Sequence, residues 1–341
     1  MTAVRGLVGH GVTLVIASVL AVRTWTYDET KAPKHGETEL WAGNPDQVQE
    51  VRFESKAGTL VLEPRRDSNG PYFVGEVHRV ATPPPEKKDG AQSQSEPPPP
   101  PPKVGYFVAT KEGEELMETL APLRALRVLG KVPDAQKADF GFDKEEGRLH
   151  VRIGGVDHAL VFGGTTPGGS DYYVKDASSG NAYVVSGTIL RDLTSADQRL
   201  LERNLHAFEE GKLKRVKITA LGATRELVKS AEKKDAWTKP SEPNGKDETA
   251  TNWLSKLSRL HVTNYEGEKL EPPVTPADIV LKVEYFDEHK PIGFLELAHR
   301  PGEKPDKPEY VARTEHTRWY ATVIRSAAEQ IEQDEKSVVN P

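Results

Sequence analysis

Gly163-Gly164-Thr165-Thr166-Pro167-Gly168-Gly169-Ser170 has the glycine content to cradle a phosphate on backbone N–H groups. No Lys-Ser/Thr pair follows to open a helix, so the stretch reads as a turn between two strands and not as a P-loop. Histidine offers metal chemistry, but His150 and His158 stand on a strand and a turn, and His289 and His299 bracket another strand, none at ligand spacing beside acids. Ser186-Gly187-Thr188 lacks the glycine-flanked serine of a nucleophile elbow, and spacing nominates no partner histidine. The acid pairs Glu114-Glu115, Glu145-Glu146 and Glu209-Glu210 fall beside lysines, where solvated charge is the ordinary explanation. Tyr172, Tyr173, Tyr183, Tyr310, Trp319 and Tyr320 have two readings: duplicated core positions, or an exposed aromatic ladder for a sugar or a partner, with Tyr172 and Trp319 as the contacts. No catalytic residue, cofactor-binding residue or metal ligand is nominated, no cofactor is expected, and the chain is expected not to be an enzyme.

Composition narrows the field further. The 341 residues contain no cysteine, which excludes disulfides, thiolate zinc sites, cysteine nucleophiles and a lipidated N-terminal cysteine. A net charge of -6 argues against a general binder of nucleic acid or anionic lipid. Hydrophobic residues make up 36% and charged residues 29%, which excludes a polytopic membrane protein.

One segment could enter a membrane. From Gly6 to Val22 there is no Asp, Glu, Lys or Arg, and Arg5 and Arg23 close the stretch, with Trp25 and Tyr27 placed for the interface. It reads as an uncleaved single-pass anchor; a cleaved secretory signal ending near Val19-Leu20-Ala21 is the rival reading. Gly9, Thr13, Ala17 and Ala21 recur at spacing four and form a stripe of small side chains suited to docking on another membrane helix, although short anchors are rich in small residues anyway.

Beyond this segment the same succession of elements occurs twice. Val48, Val51 and Phe53, then Thr59 to Glu63 across a turn at Lys56-Ala57-Gly58, match Leu213, Val216 and Ile218, then Arg225 to Val228 and Trp237. A helix is predicted over Leu120, Leu123, Leu126 and Val128, matching Leu254, Leu257, Leu260 and Val262, with Pro122 marking a kink or a late start. Tyr173-Val174 and Tyr183 match Tyr310-Val311 and Tyr320. The first copy is lengthened by a proline-rich insertion, residues 82–103, that cannot form a packed core. The expected class is α+β: an N-terminal single transmembrane helix followed by two tandem repeats of a mainly antiparallel β unit with packed helices. The expected boundaries are 1–27 anchor, 28–40 connector, 41–196 first repeat, 197–210 connecting helix, 211–333 second repeat and 334–341 tail.

Asn44-Pro45-Asp46-Gln47-Val48-Gln49-Glu50-Val51, Leu126-Arg127-Val128, Phe140-Gly141-Phe142, Phe162-Gly163-Gly164 and Asp171-Tyr172-Tyr173-Val174 together resemble the domain of unknown function 4340 family, over most of 41–331. The proline-rich insertion and the polar 304–308 loop depart from the family pattern. The resemblance implies a single-pass protein of the inner membrane of Gram-negative type bacteria, its bulk periplasmic, often encoded beside gliding-type ABC transporter permease and substrate-binding-like subunits. It carries over no catalytic residue. The function expected from it is a non-catalytic, membrane-anchored accessory subunit of an ABC-type transport complex, docking by its helix and binding partners through the duplicated domain. The alternatives are a module binding an envelope glycan or cell-wall polymer, and a hydrolase with a site across the repeats.

Overall fold

The computed structural model describes residues 37–80, 103–304 and 307–340. Period-two patterning makes the strands. In β8 (Gly147–Ile153), Leu149, Val151 and Ile153 are buried while Arg148, His150 and Arg152 face solvent, the alternation of a sheet with one wet face. The first half contains β1 (Thr38–Trp41), β2 (Val48–Ser55), β3 (Gly58–Asp67), β4 (Gly70–Arg79), β5 (Lys103–Ala109), helix α1 (Lys111–Leu120), β6 (Leu123–Ala125), β7 (Arg127–Lys131), β8, β9 (Val156–Thr165), β10 (Asp171–Asp176), β11 (Asn181–Ser186), α2 (Gly187–Thr194) and the single turn α3 (Ala196–Arg199). The second contains β12 (Arg215–Ala220), β13 (Ala223–Lys229), β14 (Trp237–Thr238), α4 (Glu248–Leu257), β15 (Val262–Tyr265), β16 (Ile279–Phe286), β17 (Pro291–Lys304), β18 (Lys307–Thr314), β19 (Ala321–Val323) and α5 (Arg325–Val339).

All strands except β1 and β6, which pair with each other, join one antiparallel path: β7-β11-β10-β9-β8-β2-β3-β4-β5-β15-β19-β18-β17-β16-β12-β13-β14. Among the described residues its ends, β7 and β14, have one neighbour each. Read outward from the first hairpin, both halves follow one order, with β4-β3-β2-β8-β9-β10-β11-β7 answering β14-β13-β12-β16-β17-β18-β19-β15. β5 has no counterpart; it links the halves by pairing Tyr106 with Tyr265 of β15. A single large apolar core runs through both halves, from Val51 and Phe53 to Ile331 and Val338.

The α+β expectation is corrected by this arrangement. Strand accounts for 45% of the structure against 21% helix, and the two sets of strands are hydrogen-bonded into one sheet, so the class is mostly β. The transmembrane part of the expectation, residues 1–27 with Arg5, Gly9, Thr13, Ala17, Ala21, Arg23, Trp25 and Tyr27, lies outside the described residues. Among those described, no helix is long and apolar enough to cross a membrane, so the expected transmembrane helix has no support in the structure.

Two helix expectations are also corrected. The first-half helix ends at Leu120; Leu123 and Val128 belong to strands, with Leu126 at the bend between them. A spacing of three between leucines fits the end of a helix and the strand after it equally well, and Pro122 cannot donate to a continuing helix. The true correspondence is 137 residues: Gly113, Leu116, Met117 and Leu120 are the buried face of α1, and Ala250, Trp253, Leu254 and Leu257 that of α4. The connecting helix shrinks to Ala196–Arg199. The residues after it run without regular structure to the 3-10 turn Glu210–Lys212, while Leu201 and Leu205 are buried in the core.

Candidate functional site at the junction of the two halves

The segment leaving α3 passes between the halves and carries Glu202 with it. The Glu202 N–H donates to Val108 O of β5 at 2.8 Å. Its side chain is 4% exposed, yet three donors reach the carboxylate. Thr110 Oγ1 donates to Oε2, His316 Nε2 lies 3.0 Å from the same oxygen, and the Asn204 N–H donates to Oε1 at 2.8 Å. Burial alone would raise this carboxyl; the hydrogen bonds from His316, Thr110 and Asn204 outweigh it and hold Glu202 at about 2. The group is an anion across the physiological range, and a base that far below neutrality abstracts protons poorly. Threonine, histidine and glutamate meet here, but both partners bond one carboxylate oxygen instead of forming a relay.

The loop after β18 completes the junction. Thr314 Oγ1 donates to Leu205 O, and Glu315 takes His206 Nδ1 at 2.9 Å and the Phe294 N–H at 2.9 Å. From the other half, Asn69 Nδ2 donates to Glu315 O at 3.2 Å. Asp67 accepts from Arg318 Nε at 3.0 Å. Burial would raise Asp67, but Arg318 and the turn N–H groups of Asn69 and Gly70 hold it below the usual carboxylate range.

Two hollows flank the junction. A cleft of about 240 Å³ is lined by Val61, Glu63, Arg65, Tyr106, Glu268 and Trp319 among others, and Arg65 Nη1 bridges it to Glu268 Oε2 at 3.2 Å. A cavity of about 420 Å³ lies in the second half, between α4, the connecting segment and strands β13, β14 and β16. Its walls include His206, Phe208, Trp237 and Tyr285, with Asn252, Ser255 and Ser258 contributed by α4 and its end.

The two aromatic contact candidates are not brought together. Trp319 lines the smaller cleft but is only 7% exposed, edge-on to Tyr265 with ring centres 6.4 Å apart. Tyr172 is half-buried in the first half, edge-on to Phe162 at 6.5 Å. The glycine-rich stretch is the end of β9 and the β9–β10 turn. Gly141, at φ +71°, sits so close to it that a Cβ would lie 2.4 Å from the Gly164 nitrogen, and that N–H donates to Phe140 O at 2.8 Å. Phe140-Gly141-Phe142 and Phe162-Gly163-Gly164 therefore form one packing clasp. Ser186 caps α2, its Oγ accepting from the Thr188 N–H at 3.3 Å. Glu115, Glu145 and Glu209 pair with Lys111, Arg148 and Lys212. His158 stacks on Trp41 at 4.8 Å, and His299 bonds Glu332 at 3.1 Å. Sequence reasoning missed Glu202 and His316; Glu202 sits in a charged run, and nothing local separates it from its solvated neighbours.

Fold and junction define a mostly-β chain in which contacts such as Thr110–Glu202 and Asp67–Arg318 link two like-ordered sets of strands. The family model described as Domain of unknown function (DUF4340) matches residues 100–279, just over half of the chain. The chain belongs to that family. No curated protein and no solved structure matches it.

Proposed function

We propose that this chain acts by binding and not by catalysis, as a periplasmic accessory subunit of an ABC-type, gliding-type transport complex whose permease and substrate-binding-like subunits it contacts. The observation that carries the binding reading is the free outer side of β7. Leu126 and Val128 are 41% and 49% exposed at this end of the sheet, and among the described residues β7 pairs with β11 alone. An edge strand of this kind is a ready template for a strand from another chain. The fate of the reactive side chains supports the same reading, because Glu202, His316 and Thr110 are engaged with one another inside the junction. The transport partner comes from the family resemblance. Affinity purification from gently solubilised membranes should recover a permease and an ATPase in fixed ratio to this chain, and Val128→Pro should deplete them. Recovery of no transporter subunit would sink the reading.

A further inference from the structure

The two halves begin alike, and one difference at that point leaves a receptor. In the first half β1 leads in, pairing Thr38 with Ala125, Glu39 with Arg124 and Trp41 with Leu123. The Trp41 indole is buried, stacks on His158 at 4.8 Å and donates from Nε1 to Leu120 O, at the end of α1, at 2.7 Å. The 3-10 turns that follow, Pro45–Gln47 and Glu210–Lys212, stand 165 residues apart, and α1 and α4 stand 137 apart. These two intervals place Arg203, Asn204 and His206 opposite Val262, His261 and Leu260 in the second half.

The first rung is made there: the Val262 N–H donates to Arg203 O at 3.0 Å. The ladder then opens. Asn204, His206, Leu260 and His261, the residues that would continue it, all line the 420 Å³ cavity. His206 stands in the place of Trp41 and turns to Glu315 through Nδ1. The hollow keeps aromatic walls in Phe208, Trp237 and Tyr285, and Leu257, the counterpart of Leu120, lines it too.

We propose that this cavity receives a planar aromatic side chain with an N–H or O–H donor, presented on an extended segment of a partner protein, in the manner that β1 presents Trp41 to the first half. The volume lies within the range of small-ligand sites. Aromatic walls favour a ring over an aliphatic group of similar size through edge and stacking contacts. The proposal goes beyond the accessory-subunit reading, which rests on β7, and each can fail without the other.

The test uses the full chain and two end-blocked pentapeptides, Gly-Gly-Trp-Gly-Gly and Gly-Gly-Leu-Gly-Gly, titrated by calorimetry. The tryptophan peptide should bind saturably and at least about tenfold more tightly than the leucine peptide, a difference of about 1.4 kcal/mol. Ser255 is an exposed residue of α4 on the cavity wall. Ser255→Phe should weaken the tryptophan peptide at least about tenfold while leaving the melting temperature unchanged. His206→Trp should also abolish binding by supplying the missing plug; if that variant fails to fold, Ser255→Phe carries the test. Absence of saturable binding, equal affinity for the two peptides, or undiminished binding by Ser255→Phe would each overturn the proposal.

Discussion

Glu202 and Glu335 are both buried glutamates, and their surroundings send them in opposite directions. Glu202 is held at about 2, below its ordinary 4.5. It therefore contributes stability above pH 4.5 that is lost as the pH falls through about 2, of order 3 kcal/mol by linkage. Glu202→Gln should lower the melting temperature at pH 7, and the gap to the parent should close by about pH 2. Glu335 on α5 is 3% exposed, and its Oε2 has no hydrogen-bond partner. Burial first, and the neighbouring Glu332 second, push it up to about 7. Its ionisation costs stability progressively as the pH rises from 4.5 to about 7, so Glu335→Gln should raise the melting temperature at pH 8 and lose that advantage below pH 4.5. Thermal melts across pH distinguish the two. Neither role was legible in the sequence, because Glu202 and Glu335 each sit among charged neighbours, and burial is set by residues far away in the chain.

Strands and their turns were the most readable elements. Val51 and Phe53 alternate with Glu50, Arg52 and Glu54 because one sheet face is wet, and a period of two survives in the sequence whatever packs on the other face. The helix boundaries were less readable, since Leu120 and Leu123 suit either state and only the end of α1 decides between them. Close approaches were invisible as such. Gly141 looks like any loop glycine, yet Gly141→Ala should cost about 1–3 kcal/mol, from the left-handed φ as well as the contact with Gly164. Urea denaturation would show it as a lower midpoint with an unchanged slope. At the start of α4, Asp247 accepts from the Ala250 N–H at 2.9 Å and pairs with Arg225. Asp247→Ala should cost about 2 kcal/mol or more, because it removes the cap and leaves a nearly buried guanidinium with a lost partner.

The continuous ladder through β5 and β15, the shared core and the Glu202 junction couple the two halves. Calorimetry should record one cooperative transition, with van't Hoff and calorimetric enthalpies agreeing. Arg318→Ala removes the contact with Asp67 across the halves and should lower the midpoint of that transition. An unchanged midpoint in that variant would assign the coupling to the sheet and core alone.

Hydrophobic alternation, the paired Tyr173 and Tyr310, the absence of cysteine and the short glycine and phenylalanine motifs are local properties, and from them the strands, the recurrence of elements and the family were readable directly. The joining of all those strands into one sheet, the gathering of Glu202, Thr110 and His316, and the cavity left where His206 stands in place of a tryptophan depend on contacts between residues far apart in the chain. Local patterning records which face of a strand is dry; it does not record which distant strand supplies the cover, and that pairing is where this protein's junction and its hollow arise.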